Sequence, residues 1–270
     1  MEELLTQLAR EVREKSFGKY RGFVVDNQDP EQLGRLRLRV PSVLADAVTG
    51  WALPCLPYGG LSQQGWYAVP DVDAQVWVEF EAGDLSHPIW TGTFWQQAGE
   101  APAEPDREAP TARVLKTASG HRLIFDDEPG EERILIEHTT GAQIELTADG
   151  SIASRNACGA QLLLDADNKE VRIEDGMGNE LEMTRSGTRL TDPNDNRVDM
   201  SPGGVTVKGQ NVVIEGGQVA LGGDGGEPLI KGQSFLQLFA THTHPTPAGP
   251  SGPPIPQGEA SALSSKVKTL

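Results

Sequence analysis

Five segments in the second half of the chain share one form: a glycine or aspartate, two further residues, then apolar, any, apolar. They are GHRLIF from Gly120, GAQIEL from Gly141, GAQLLL from Gly159, GNELEM from Gly178 and DNRVDM from Asp195. Successive starts lie 21, 18, 19 and 17 residues apart, and the returning segments RILIEH, KEVRIED and TRLTD run between them. Apolar residues two apart fall on one side of a strand, and Gly or Asp at the head of each unit is turn chemistry. The repeat therefore predicts a meander of short hairpins with no helix among them.

From Val205 the repeat tightens to seven residues. VTVKGQN, VVIEGGQ and VALGGDG align, with Val205 and Val207, Val212 and Ile214, and Val219 and Leu221 as apolar pairs. Gly209, Gly216 and Gly223 occupy the turn position. A period this short is one strand and one turn, and a single strand cannot bury its own apolar face. A stack of such strands from one chain would also leave open edges. Three copies wound together give a closed prism with those six apolar residues inside and with Lys208 and Glu215 facing water. Glycines and β-branched residues at these positions argue against a heptad coiled coil.

The first half reads differently. Leu4, Leu5, Leu8 and Val12 share one face of a short amphipathic helix in residues 1–17. Residues 18–97 then alternate with period two. YRGFVVDNQ, GRLRLRVPS, GWALPCLPY, GWYAVPDV, QVWVEFEAGD and HPIWTGTFWQ are short strand candidates separated by Gly and Pro turns. In GRLRLRVPS, Leu36, Leu38 and Val40 form an apolar face opposite Arg35, Arg37 and Arg39. Five or six such strands suggest a small closed barrel of the OB kind. Residues 98–113, rich in Pro, Ala and Glu, read as a linker. The expected fold is all-β: a short N-terminal helix, an OB barrel, the linker, an intertwined trimeric β-helix or prism over 114–240, and a tip or fold-back segment over 241–270.

Charge narrows the function. The 270 residues carry a net charge of -16, which argues against nucleic acid and against docking on an anionic membrane surface. The N-terminus has no long apolar run and no stretch approaches the roughly 20 apolar residues of a membrane helix. This predicts synthesis and assembly in the cytoplasm without a signal peptide. Cys55 and Cys158 are far apart with no CxxC partner, which predicts two small buried residues rather than a zinc site.

DNQDPEQLGRLRLRVPS, taken with VPDVDAQVWVEFEAGDLSHPIWTG, resembles the OB domain of the central spike of contractile injection systems. This family includes the phage baseplate assembly protein V and the valine-glycine repeat proteins of type VI secretion. The residues carrying the likeness are Asp29, Pro30, Gly34, Arg35, Val40, Pro41, Pro70, Gly83, Asp84, Trp90 and Gly92. The β-repeat is similar to the trimeric needle of the same family. The resemblance implies a non-enzymatic homotrimeric spike at the centre of a phage tail, tailocin or extracellular injection particle. It implies a separate hub protein and inner tube at the barrel end, and a PAAR-type tip protein or an effector at the other. No stable membrane insertion is expected before contraction.

The remaining candidates are weighed on that background. His242 and His244, in FATHTHPTPAGPSGPP, would share one side of a strand, so three chains would aim six imidazoles at the axis. That set suits iron, which the resemblance implies, or another transition metal. The alternative is a strand end whose histidines bond to backbone. The Pro-rich tail is either a polyproline ligand, a linker or, as preferred here, part of a fold-back with SKVKTL that caps the needle. DDEPGEE, residues 126–132, groups carboxylates of the kind a cell-wall hydrolase uses, but its place between RLIF and RILIEH reads as a solvated turn. DPNDNRVD imitates the start of a calcium loop but has Arg197 where glycine is needed, and also reads as a turn. His87 and His121 lack a nucleophile partner. The alternatives are a spike-borne binding module or hydrolase, and a monomeric OB-fold ligand binder.

Overall fold

The computed structural model describes residues 15–103, 110–219, 230–255, 261 and 263. The expected N-terminal helix falls almost wholly in residues 1–14 and lies outside the described residues, as do Leu221, Gly223 and the whole SKVKTL segment. The described chain is mainly strand. Five strands make one sheet: β1 (Tyr20–Asp26), β2 (Arg37–Arg39), β3 (Leu53–Pro54), β4 (Gln75–Phe80) and β5 (Pro88–Thr93), in the order β2-β1-β4-β5-β3. Reciprocal backbone hydrogen bonds between Leu36 and Ala52, at 3.1 and 2.7 Å, join the flanks of β2 and β3 and close the sheet on itself.

The barrel core follows from the alternation read in the sequence. Leu36, Leu38 and Val40 are fully buried, with Val24, Ala52, Val76, Val78, Phe80 and Trp90 around them. Gly22 on β1 is needed there, since a Cβ would lie 2.6 Å from a Val78 methyl. GWYAVPDV forms no strand. Gly65 has φ 148, Trp66 donates to the Tyr58 carbonyl, and Pro70 accepts from Asn27 rather than joining a ladder.

Beyond the barrel, eleven strands form one antiparallel meander in chain order. They are β6 (Ala112–Lys116), β7 (Arg122–Asp126), β8 (Arg133–Glu137), β9 (Gln143–Leu146), β10 (Ile152–Arg155), β11 (Gln161–Asp165), β12 (Glu170–Glu174), β13 (Glu180–Thr184), β14 (Gly187–Thr191), β15 (Arg197–Ser201) and β16 (Gly204–Lys208). β6 begins inside the stretch expected to be linker.

One edge of this sheet repeats a single turn. Thr117, His138, Asn156, Asp175 and Asp192 each open it, and each accepts a backbone N–H from one of the following residues through its side chain, at 2.8–3.2 Å. Gly120, Gly141, Gly159, Gly178 and Asp195 hold its fourth position with φ of 91, 85, 91, 92 and 60. That is a type I turn followed by a left-handed residue, the usual three-residue hairpin connection. The DPNDN stretch is one of these turns.

The seven-residue repeat yields one strand, β16. Residues 211–219 form none in the single chain. A strand whose neighbours belong to other copies has no ladder to join in an isolated one. The distal segment departs from the all-strand expectation: α2 (Gly232–Thr241) follows α1, the single turn Pro41–Leu44. The run FLQLFAT is rich in residues that favour helix and has no glycine or β-branched pair to oppose it. A minimal hairpin, β17 (Pro245–Thr246) with β18 (Gly249–Pro250), turns the proline-rich tail back on itself.

Candidate functional site

Residues directly opposite in an antiparallel pair share a face, so the register separates the two sides of the meander. On one side Leu123 opposes Leu115 and Ile136, Phe125 opposes Ile134, and Ile144 opposes Ile136. The row continues through Leu146, Ile152, Leu162, Leu164, Val171, Ile173, Leu181, Met183 and Leu190. Arg113, Ser154 and Thr188 are its polar interruptions. Twelve of its large apolar side chains, counting Met200, are 37–53% exposed.

The opposite side is a ladder of ion pairs interrupted by Val114, Ile124, Leu135 and Leu163, of which Ile124 and Leu135 are buried. Arg122 meets Glu137, and Arg133 lies between Asp126 at 3.7 Å and Glu145 at 3.4 Å. Arg172 meets Glu180 and Glu182 at 3.3 and 2.5 Å, and Arg189 meets Asp199 at 2.6 Å. Apart from Arg133–Asp126, whose carboxylate is buried, pairs exposed to this degree contribute at most about 1 kcal/mol each. Their information is directional: this is the face that suits water. A contiguous apolar face of such extent marks an interaction surface.

The predicted site residues distribute as follows. Asp29 is buried in the barrel and accepts from the backbone of Glu31, Leu33 and Arg35 at 2.8–3.2 Å. The Arg35 guanidinium reaches it at 2.6 Å, and this contact, with the three N–H groups, holds the Asp29 carboxyl far below the usual carboxylate range. Pro30 lies in the turn that Asp29 organises. Gly34, at φ 75, offers its carbonyl to the Trp90 indole at 3.1 Å. Pro41 starts α1. Gly83, at φ 76, ends a 3-10 turn, and Asp84 accepts from the Ser86 N–H at 2.9 Å, which lowers its carboxyl. Gly92 lies in β5 at φ 139. These residues shape the barrel and do not converge on a pocket.

In the shaft, Val205 and Val207 lie on β16, and with Val212, Ile214 and Val219 they are at least half exposed. A Cβ on Gly209 would lie 3.0 Å from Asn196 Oδ1, while one on Gly216 would meet only ordinary contacts, nearest the Gln218 carbonyl at 3.4 Å. Sequence reading set the trimer core on this distal repeat alone and missed the larger face across β6 to β15. The signal was present in the apolar pair of each twenty-residue unit.

His242 and His244 do not sit on a strand, because α2 ends just before them. Their rings stand edge to face with centroids 5.0 Å apart. His242 Nδ1 lies 2.5 Å from the Phe239 carbonyl and donates to it, leaving Nε2 with its lone pair. The His244 N–H donates to Ser251 Oγ at 2.8 Å.

Two expectations need correction. Cys55 and Cys158 are exposed, Cys158 because it occupies a turn of the repeating edge. Asp126 is not part of a solvated turn: it ends β7 and is buried, 3.4 Å from Thr111 Oγ1 and within reach of Arg133. Separately, the tilted rings of His121 and His138 meet with centroids 4.4 Å apart, a pairing that only the register exposes.

Comparison with known proteins agrees with this architecture. Residues 20–95 match the type VI secretion system/phage-baseplate injector OB domain, and residues 112–177 match the phage baseplate V C-terminal trimerisation domain. Over 114 residues the chain is 32% identical to the type VI secretion system spike protein VgrG3 of Vibrio cholerae serotype O1, covering 39% of this chain. The matched stretch is 11% of that relative's length. Among solved structures, a mutant TCP10 domain of Danio rerio CPAP is similar at 14% identity and a TM-score of 0.26, covering 62% of this chain and 72% of that one. The Drosophila melanogaster SAS-4 TCP domain, in complex with a proline-rich motif of Ana2, is similar at 14% identity and 0.22, covering 40% and 96%. Scores that low do not bear on the fold. The injector OB domain and the trimerisation domain follow one another here in the order of barrel and meander, and the chain belongs to the baseplate spike family that includes the valine-glycine repeat proteins.

Proposed function

We propose that the chain is a non-enzymatic structural spike, acting as a homotrimer at the centre of a contractile injection particle. The observation that carries this is the one-sided meander: eleven strands, apolar on one face and ion-paired on the other. Strands of four or five residues make each sheet about 16 Å wide, so three faces enclose an axis roughly 5 Å from each, half the ~10 Å spacing of packed sheets. A fourth face would move the axis out to roughly 8 Å and leave a hole. Ten strand steps of about 4.8 Å give a shaft of roughly 50 Å.

The mechanism is mechanical. Three sheets closed on a dry axis resist local opening, because loosening one strand exposes apolar surface on all three copies. Sheath contraction supplies the force, and the shaft transmits it to a small area of the target envelope. The barrel end meets the hub and tube, and the distal end carries a tip protein or an effector. The charge of -16 disfavours nucleic acid, and among the described residues no helix is long and apolar enough to cross a membrane.

The distal histidines fit a metal. A ring that donates one N–H to a backbone carbonyl and presents the other nitrogen is the usual arrangement of a ligating histidine, and His242 has it. His242 and His244 of three copies would hold iron or another transition metal, which would tie the three chains together.

Native mass of the purified protein, with metal analysis of the same sample, tests the proposal. Three 29.0-kDa chains per particle are expected, with one metal ion per trimer lost on His242→Ala. A monomer at micromolar concentration would overturn the spike reading and leave an OB-fold ligand binder. A metal-free trimer would reduce the two histidines to structural residues.

A further inference from the structure

We propose that at each corner of the trimer the acidic turn between β7 and β8 of one copy seats on the His121–His138 pair of the next. The inference rests on the trimeric reading and deepens it. In a ring of equivalent copies, one edge of each sheet meets the opposite edge of its neighbour. The turns after β6 and β8 lie on one edge, and the turn after β7, residues 127–132, lies on the other, midway between them in height. The neighbour's β7–β8 turn therefore faces the gap between the two turns that carry His121 and His138.

That gap asks for an acceptor. His121 continues the apolar row of Leu123 and Phe125, and His138 continues that of Ile136 and Ile134, so closure of the trimer covers both rings. The rings meet at a tilt, with centroids 4.4 Å apart. His138 Nδ1 lies 2.8 Å from Thr140 Oγ1 and 3.2 Å from the Thr140 N–H, so the local hydrogen bonding of this ring is confined to Nδ1 and leaves its Nε2 unengaged. No hydrogen bond to that Nε2, or to either ring nitrogen of His121, is found among the described residues. A covered imidazole N–H requires a partner.

The opposite edge is most acidic at this height. Asp127, Glu128, Glu131 and Glu132 crowd the β7–β8 turn, and no side-chain partner is found for Asp127 or Glu128 among the described residues. In the next turn down, Asp149 is already engaged by Thr147 and Ser151. Below it, Lys169 stands beside Asp167, and Arg185 brings the opposite sign. The pairing thus fixes which levels of neighbouring copies meet.

Cysteine cross-linking in the full chain tests this, with Cys55 and Cys158 replaced by serine and the trimer mass checked first. Pro129→Cys with Thr139→Cys places one thiol at the tip of each partner turn, and a disulfide requires Cα atoms within about 7 Å. Oxidation should link three chains into a ring on a denaturing gel, while either single variant stays unlinked. Pro129→Cys with Met177→Cys, about 19 Å further along the edge by strand spacing, should not link. A trimer that fails to link through Thr139, or links equally through Met177, overturns the proposal. A monomer would instead overturn the trimeric reading beneath it. Independently, His138→Phe should lower the melting temperature of the trimer by a few degrees. The loss should vanish when Asp127, Glu128, Glu131 and Glu132 are replaced by their amides, and a loss that persists in that background argues for the ring contact alone.

Discussion

The barrel and the meander are built from strands of similar length, yet they handle apolar surface in opposite ways. In the barrel nine residues, Val24 through Trp90, are at most 6% exposed, and two outer flanks join to close the sheet. In the meander only Ile124 and Leu135 among the large apolar residues are buried, and the apolar face is left bare. One region completes its core within a chain. The other is half of a core, and in the proposed trimer the missing half comes from other copies. The difference lies in curvature and pairing. The barrel's strand order departs from chain order and doubles back on itself, whereas the meander pairs only neighbours in sequence and so produces an open ribbon.

That contrast can be broken or sharpened by substitution. The largest effect is expected from Ile144→Glu, which puts a charge on the bare face of each copy where it would be buried without a partner, at a cost of several kcal/mol per chain. Sedimentation should show monomers that retain a folded barrel, and assembly of this variant at wild-type concentrations would break the comparison. Next comes Leu38→Ala, which should cost about 2–5 kcal/mol. Its effect should be confined to the barrel transition and be independent of protein concentration, while the shaft transition should shift with concentration.

Asp29 sharpens the comparison through pH. Its carboxyl is held low in the folded barrel by Arg35 and three N–H groups. The stabilisation is therefore fully present above the unfolded carboxylate value of about 3.9 and is lost as pH falls below it toward the folded value. Acid titration followed by Trp90 fluorescence should show the barrel weakening below about pH 4, and Asp29→Asn should flatten that slope while weakening the barrel at neutral pH. Gly141→Ala should cost about 1–2 kcal/mol, because φ 85 is left-handed. A Cβ there meets nothing within 4 Å, so the loss belongs to the hairpin rather than to the interface. Smallest of all, Glu182→Gln on the ion-paired face should change the shaft melting by less than about 1 kcal/mol.

Much of this fold can be read from local chemistry. Strands β7, β9, β11, β13 and β15 each start two residues after the turn residue that heads the repeat, because a type I turn with a left-handed fourth position is specified by a few neighbouring side chains. Leu36, Leu38 and Val40 were legible for the same reason, since alternation alone decides which side is buried. What depends on distant partners was not legible. GWYAVPDV has strand-like composition but no ladder to join. Residues 211–219 repeat with strand period yet stay unpaired in one chain. The helix before His242 shows the converse, a local preference overriding a pattern extrapolated from upstream. The His121–His138 contact required knowing that Arg122 faces Glu137, which no single segment states.

The recurring turn also makes the shaft a gauge whose length can change without altering its section. Each unit of about twenty residues is one out-and-back hairpin, so removing or duplicating a unit, for example residues 141–158, shifts the tip by about 10 Å and leaves every remaining side chain on its original face. A change of one strand alone would reverse the chain direction beyond it. On the spike reading, the reach of the shaft would be adjustable in discrete hairpin steps while the barrel and the distal end stay as they are.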